Sequence, residues 1–262
     1  MGISVYIIAY NEAEKIKDCI NSILWADEII VADSNSTDGT SEIAASLGAK
    51  VIHIPFNGYG ALRNEALSYC TNEWILSIDS DERCTEEVRD EILSLIERTS
   101  LDIFNIPRKN FFMGKWIRHS GWYPNFRQPQ LFRKNMMSYD LKPVHEGFVS
   151  HSSQKIGVII NSIWQVPFKN SEEILHKANR YSSLGVAKLE DKKVNGTLLK
   201  AFFHGFWAFI KHYFFKLGFL DGGAGFVIAF SNFEGTFYRY LKLTEKQSNW
   251  KMPSVKPIRK IK

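Results

Sequence analysis

The first hundred residues alternate apolar runs with segments whose apolar positions recur every three to four residues. Ile3 to Ile8 is a β-branched, strand-like run, after which Ile16, Cys19, Ile20, Ile23 and Leu24 follow helical spacing. Glu28 to Ala32 gives a second strand that stops at Asp33. Ile43, Ala44 and Leu47 mark a short helix, and Gly48 stands where a left-handed residue ends one. Lys50 to Ile54 predicts a third strand, Ala61 to Cys70 a third helix and Trp74 to Ile78 a fourth strand. Val88, Ile92, Leu95 and Ile96 predict another helix. Strands alternating with helices of this length imply crossover units, and so an α/β fold around a mostly parallel sheet.

Ligands of open α/β sheets bind beyond the carboxyl ends of the strands. The polar clusters fall there: Tyr10-Asn11-Glu12 after the first strand, Asp33-Ser34-Asn35-Ser36 after the second, and Asp79-Ser80-Asp81-Glu82 after the fourth. On an extended chain Asp79 and Asp81 point the same way. Mg²⁺ takes one or two carboxylates plus substrate phosphates, so a short Asp-x-Asp suits a cation that in turn holds a diphosphate. A strand that simply ends in an acidic loop has the same local pattern, but three loops converging on one edge favour a site.

Beyond residue 100 the pattern changes. Ile103 to Pro107 reads as a strand. Residues 108 to 133 are then rich in aromatic and basic side chains, among them Trp116, Arg118, His119, Trp122 and Tyr123. The stretch is too polar for a core and too aromatic for a plain loop; a surface for sugar rings and phosphates and a structural hairpin both fit it. Leu199, Phe202, Phe203, Phe206, Ile210, Tyr213, Phe214 and Leu217 predict one helix over 198–217, made apolar on further faces by Trp207, Phe209 and Phe215. A core helix and an interfacial helix on a membrane both fit, and Gly222-Gly223-Ala224-Gly225 breaks it before a second apolar segment.

Composition narrows the choices. The chain has 262 residues, 45% of them hydrophobic, enough for one α/β domain with an appendage. Cys19, Cys70 and Cys84 match neither a disulfide framework nor a zinc pattern, which suggests a reducing compartment. The start reads directly into a strand without the features of a signal peptide, and no run of eighteen apolar residues occurs. A cytoplasmic location is expected. Net charge is +5, unevenly placed: Lys246 to Lys262 carries six Lys or Arg and no acid. Such a tail is either a solvated terminus or a contact for an anionic membrane surface; nucleic acid is not an expected partner.

Taken in order, Ile8-Ala9-Tyr10-Asn11-Glu12, Ala32-Asp33-Ser34-Asn35-Ser36-Thr37-Asp38-Gly39-Thr40, Gly58-Tyr59-Gly60-Ala61-Leu62-Arg63-Asn64 and Asp79-Ser80-Asp81-Glu82 resemble the family 2 glycosyltransferases. Within them the chain looks like the bacterial lipopolysaccharide-core branch, typified by β-1,4-glucosyltransferases acting on inner-core heptose. Arg118-His119-Ser120-Gly121-Trp122-Tyr123-Pro124, Gln130-Leu131-Phe132-Arg133, Val144-His145-Glu146 and Gly218-Phe219-Leu220-Asp221-Gly222 match that branch as well.

The resemblance implies a GT-A fold, an inverting hexosyl transfer from a UDP-sugar, and Mg²⁺ or Mn²⁺. Ala9, Tyr10, Asn11 and Glu12 would line the nucleoside pocket, Asp33 would receive the uracil imide, and Arg63 would lie near uracil or diphosphate. Asp79 and Ser80 would sit by the ribose or the metal shell, with Asp81 the direct metal ligand. Glu146 is the first choice of catalytic base and Asp140 the second; His145 would orient Glu146 or join the metal. Trp122, Tyr123, Arg118 and His119 would meet the acceptor. The implied acceptor is a lipid-linked inner-core oligosaccharide, reached from the inner face of the cytoplasmic membrane. Another lipid-linked or capsular glycan, and a non-catalytic membrane-peripheral sugar binder, are the alternatives. The expected division is a catalytic domain over 1–170 (donor half 1–100, acceptor half 101–170), a helical extension over 171–245 and a basic tail over 246–262. One departure bears on the metal: Trp164-Gln165 stands where relatives often carry His-Tyr, so the metal shell does without that histidine or uses His145 or His176. A second, Asn35 in place of a glycine, keeps a residue that tolerates the left-handed conformation.

Overall fold

The computed structural model describes residues 1–124, 128–141 and 147–248. The chain forms two compact units, one of Met1–Arg118 with Trp122–Pro167, the other of His119–Gly121 with the residues from Phe168 onward.

In the first unit β1 (Ile3–Ala9), α1 (Ala13–Asn21), β2 (Glu28–Asp33), α2 (Thr40–Ser46), β3 (Lys50–His53), α3 (Tyr59–Ser68) and β4 (Trp74–Asp79) follow the predicted alternation. After them come β5 (Glu82–Arg83), α4 (Glu86–Ile96), β6 (Ile103–Asn105), β7 (Arg108–Phe112), β8 (Lys115–Trp116), β9 (Leu131–Arg133), β10 (Met137–Tyr139), β11 (Phe148–Ser150), β12 (Gly157–Val158) and β13 (Ile163–Gln165). The main sheet has the order β12-β6-β9-β4-β1-β2-β3, and β9 alone runs against its neighbours. The sheet buries both faces, as its continuous apolar strands require. Val5, Ile7, Val31, Leu76 and Ile78 pack with Ile16, Ile20, Val88 and Ile92 of α1 and α4. Tyr6, Ile30 and Ile75 pack with Leu62 and Ala66 of α3.

A second sheet has the order β5-β13-β7-β8. It corrects the reading of residues 108 to 133 as too polar for a core: β7 and β8 form a hairpin, and Arg108 and Asn110 are buried beside Phe112. Both polar side chains have partners there, as buried polar groups need. Arg108 donates to Glu82, and Asn110 Nδ2 donates to the Trp122 carbonyl at 2.8 Å.

The second unit contains α5 (Ser171–Asp191), α6 (Leu198–Ile210) and α7 (Gly223–Ser248), with α5 and α6 both packed on α7. Asn170 and Thr197 cap α5 and α6 by accepting from the Glu173 and Lys200 amides at 3.0 and 3.2 Å. The predicted single helix over 198–217 is shorter as an α-helix. α6 stops at Ile210, a π turn takes Lys211–Phe215, and Leu217 enters the left-handed region at φ 55° before a 3₁₀ turn at Gly218–Asp221. That turn packs tightly on the start of α7: a Cβ on Gly225 would lie 1.8 Å from the Gly218 carbonyl oxygen.

Candidate active site

β1, β2 and β4 are adjacent and in register, so Ala9 lies opposite Asp33 and Ile8 opposite Asp79. The loops that follow β1 and β2 are fastened to each other. The Asn11 amide donates to Ser36 Oγ at 2.8 Å, and the Thr37 amide donates to Asn11 Oδ1 at 2.9 Å. The Glu12 amide donates to Thr40 Oγ1 at 2.8 Å and the Ala13 amide to Asp38 Oδ2 at 3.0 Å. The exchange needs Asn11 and Asn35 in the left-handed region, at φ 54° and 62°, which asparagine tolerates.

Ala9 is buried at the strand end, while the Tyr10 ring projects with 61% of its surface exposed. Asp33 is fully buried; it accepts from the Ser36 amide at 2.9 Å and from the Ser36 hydroxyl, and His53 Nδ1 stands 3.5 Å from it. Glu12 pairs with Lys15 at 3.6 Å.

Arg63 reaches from α3 beneath the end of β4. Its Nη2 donates to Asp79 Oδ1 at 2.7 Å and its Nη1 to Ser77 Oγ at 3.1 Å, and the guanidinium lies 5.5 Å from the centre of the Tyr139 ring. Burial works against that charge, but Asp79 and the phenols of Tyr6 and Tyr139 outweigh it and hold the guanidinium well above its usual range. Tyr6 donates from its hydroxyl to that of Tyr139 at 2.8 Å, tying the underside of this cluster to β1.

The Asp-x-Asp segment is not extended. β4 stops at Asp79, Ser80 and Asp81 form a turn, and the chain re-enters a sheet at Glu82. The two carboxylates are therefore held by different elements: Asp79 by Arg63, and Asp81 by Gln165, whose Nε2 lies 3.2 Å from each Asp81 oxygen. Ser80 is buried and accepts at its carbonyl from Arg83 Nη1 at 3.0 Å.

Glu82 explains the turn. It is fully buried and accepts from the Asp79 amide at 3.0 Å, from Gln130 Nε2 at 2.9 Å and from Arg108 Nε. Burial, opposed by Arg108 and reinforced by Asp79 and Asp81, pushes its carboxyl up from 4.5 to about 7. Nothing in the sequence marks Arg108, Gln130 or Gln165 as site residues, although Gln130 begins the Gln130-Leu131-Phe132-Arg133 motif and Gln165 belongs to the Trp164-Gln165 departure. In the sequence Glu82 reads as one more acid of an exposed loop.

The remaining candidates fall in three places. Asp140 follows β10 and accepts from the Gly147 amide at 2.8 Å, closing the base of the intervening loop. Glu146 and His145 lie outside the described residues, as does the part of the basic tail from 249 on. Trp116 gathers Arg118, whose guanidinium is 4.5 Å from its ring, and Tyr123, edge-on at 5.2 Å; Trp122 packs on Phe112. His119 belongs to the second unit: its amide and Nδ1 lie 3.1 and 3.2 Å from Asp221, which also accepts from Ser120 Oγ at 2.8 Å. His176 lies exposed on α5, paired with Glu172 at 3.4 Å.

Among the described residues no three His, Cys, Asp or Glu side chains gather to hold a metal ion. Asp79 and Asp81 supply two carboxylates. That set fits Mg²⁺ or Mn²⁺ completing its shell with phosphate oxygens and water, and does not fit a closed protein cage.

Known proteins agree with this architecture. A glycosyltransferase of Rickettsia felis, itself uncharacterized, is 32% identical over 93% of this chain and 89% of its own length. The lipopolysaccharide core biosynthesis glycosyltransferase LpsC of Rhizobium meliloti is 27% identical over 97% of this chain and 96% of its own. The crystal structure of S. aureus TarS 1-349 in complex with UDP superposes with a TM-score of 0.51 at 17% identity, covering 95% of this chain and 92% of that one. This likeness shows a GT-A-like α/β fold. The model of Glycosyl transferase family 2 matches residues 4–152, which contain the three fastened or buried strand ends described above, and the chain belongs to that family.

Proposed function

We propose that the protein transfers a hexose, glucose by the closest-fitting branch, from a UDP-sugar to a heptose of a lipopolysaccharide inner core, with inversion at the anomeric carbon. One observation carries the donor half: Asp33, Arg63, Asp79 and Asp81 converge at the ends of three neighbouring strands, two of them fixed by buried partners. The full-length relation to LpsC supports the acceptor half.

The fastened loops after β1 and β2 present Ala9, Tyr10, Asn11 and Glu12 to the nucleoside, with Asp33 behind them as acceptor for the uracil imide. Arg63 orients Asp79 and adds positive charge beside the diphosphate. Asp81, with Asp79 next to it, holds the divalent cation, which when bound neutralises charge developing on the UDP leaving group. Gln165 fixes the Asp81 carboxylate by donating to both of its oxygens, one position after Trp164, which stands where relatives often carry histidine. A single displacement needs one base on the acceptor side; Glu146 takes that role, with Asp140 its alternate at the base of the same loop. Trp122, Tyr123 and Arg118 offer stacking faces and charge to the acceptor. The enzyme works at the inner face of the cytoplasmic membrane, where a lipid-linked acceptor is held.

Titration calorimetry against UDP, GDP and CMP, each with and without Mn²⁺, tests this. UDP-selective, metal-dependent binding that Asp81→Asn abolishes is expected. Absence of binding to every nucleotide would remove the donor assignment. Transfer from UDP-glucose to a heptose-bearing inner-core acceptor then tests the acceptor.

A further inference from the structure

α6 and the start of α7 expose their largest apolar side chains, the reverse of what a helix surrounded by water does. On α6 the residues buried against α7 are small: Ala201 and Gly205 are buried, and a Cβ on Gly205 would lie 3.1 Å from Phe233, with Phe202 and Phe209 flanking them against Phe233 and Phe226. The opposite side carries Leu199, Phe203, Phe206 and Trp207, with Leu199 71% and Phe203 63% exposed. The same inversion continues past the helix. Phe215 in the π turn is 69% exposed, Leu220 in the 3₁₀ turn 57%. On α7, Ala224, Gly225, Ile228 and Ala229 are buried, whereas Phe226 and Phe230, stacked at 6.2 Å, are 48% and 44% exposed, Phe226 also meeting Phe209 and Tyr213 edge-on.

In water, a helix lowers its free energy by turning its largest apolar side chains to the core and its small or polar ones outward. Small residues between helices with large apolar ones outside is the arrangement of helices whose outer medium is lipid. An exposed aromatic surface this continuous marks an interaction site. None of the helices is long and apolar enough to cross a membrane among the described residues, so the contact is with one leaflet.

Charge selects the lipid. Between Asp191 and Asp221 the chain has five lysines (192, 193, 200, 211 and 216) and no acidic side chain. Lys200 and Lys211 are exposed at the two ends of the aromatic face. Lysines bordering an apolar face let their stems follow the acyl boundary while the ammonium groups stay among headgroups.

We propose that the outer face of α6, the π and 3₁₀ turns after it and the start of α7 form a one-leaflet docking surface for an anionic bilayer. This deepens the proposed function and rests on it in taking the acceptor to be membrane-held.

The test is flotation of the full chain with vesicles of phosphatidylglycerol and phosphatidylethanolamine, and with vesicles of phosphatidylcholine alone, alongside UDP calorimetry. Binding to the anionic vesicles, weakened by raised salt, is expected. Phe203→Ser with Trp207→Ser should lower vesicle affinity at least about tenfold, as removing two inserted aromatic side chains requires, while UDP binding is unchanged. Lys200→Gln with Lys211→Gln should lower affinity for anionic vesicles by roughly tenfold or more, from about a fivefold share per lysine near the surface. Flotation that is absent in the wild type, or indifferent to the aromatic pair, overturns the proposal. So does a lipid-free dimer that the aromatic pair dissociates, because a second copy would then be the occupant. Failed flotation with intact UDP binding sinks this inference alone; flotation without UDP binding sinks the donor assignment alone.

Discussion

Replacing Arg108 by methionine probes the buried pair that shapes the Asp-x-Asp turn. The guanidinium and Glu82 are both buried, and Glu82 also accepts from the Asp79 amide and Gln130. Burial has raised the Glu82 carboxyl from 4.5 to about 7. A raised folded value gives stability that is complete below about pH 4.5 and is lost as pH rises through 7. Without Arg108 the carboxyl rises further. At pH 6 Glu82 is largely protonated in both proteins, so the variant loses mainly one charged hydrogen bond, about 1.5–3 kcal/mol. Above pH 7 the wild type ionises and the variant does so only at higher pH, so the deficit widens, by at most about 1.4 kcal/mol per unit. Between pH 7 and pH 8.5 that amounts to at most about 2 kcal/mol. Urea unfolding at pH 6 and pH 8.5, followed by the fluorescence of fully buried Trp74 among the tryptophans, measures both deficits. Equal deficits, or a smaller one at pH 8.5, would refute the assignment of Glu82 as a burial-raised acid restrained by Arg108.

Two further outcomes are expected. Glu146→Gln should leave the donor KM near the wild-type value while kcat falls by roughly 10²–10⁴; unaltered turnover would pass the role of base to Asp140. Gly225→Ala places a methyl group 1.8 Å from the Gly218 oxygen, so the 3₁₀ turn must move away from α7. A loss of about 1–3 kcal/mol of stability is expected from such overpacking, and an unchanged Tm would show that the turn yields freely.

The parallel part of the sheet was legible because β1, β2 and β4 are buried on both faces and so read as unbroken apolar runs ending in polar clusters. The loop ends proposed as the donor edge lie at the ends of those same strands. Arg108 was not: it is charged, sits among aromatic residues, and is buried only because Glu82, 26 positions earlier, turns inward to meet it. His119 and Asp221 are 102 positions apart, and neither ends a strand, so no local spacing announces their contact. The aromatic stripe of residues 199 to 217 gave the helix but not its surroundings. Periodicity reports that a helix has an apolar face, and is silent on whether protein or lipid covers it. Only the small residues Ala201 and Gly205 on the opposite side, placed against α7, reveal which face is inside.

The mutual fastening of the loops after β1 and β2 has a thermodynamic consequence. Four amides, those of residues 11–13 and of Thr37, have side-chain partners across the two loops. Immobilising rotamer-rich groups on association costs about 0.5–1.5 kcal/mol for each side chain. Here much of that ordering is completed when the protein folds, so the nucleoside of the proposed donor would meet a surface whose conformational entropy has already been given up. The stability of the domain and the affinity proposed for a nucleotide donor would then draw on the same hydrogen bonds.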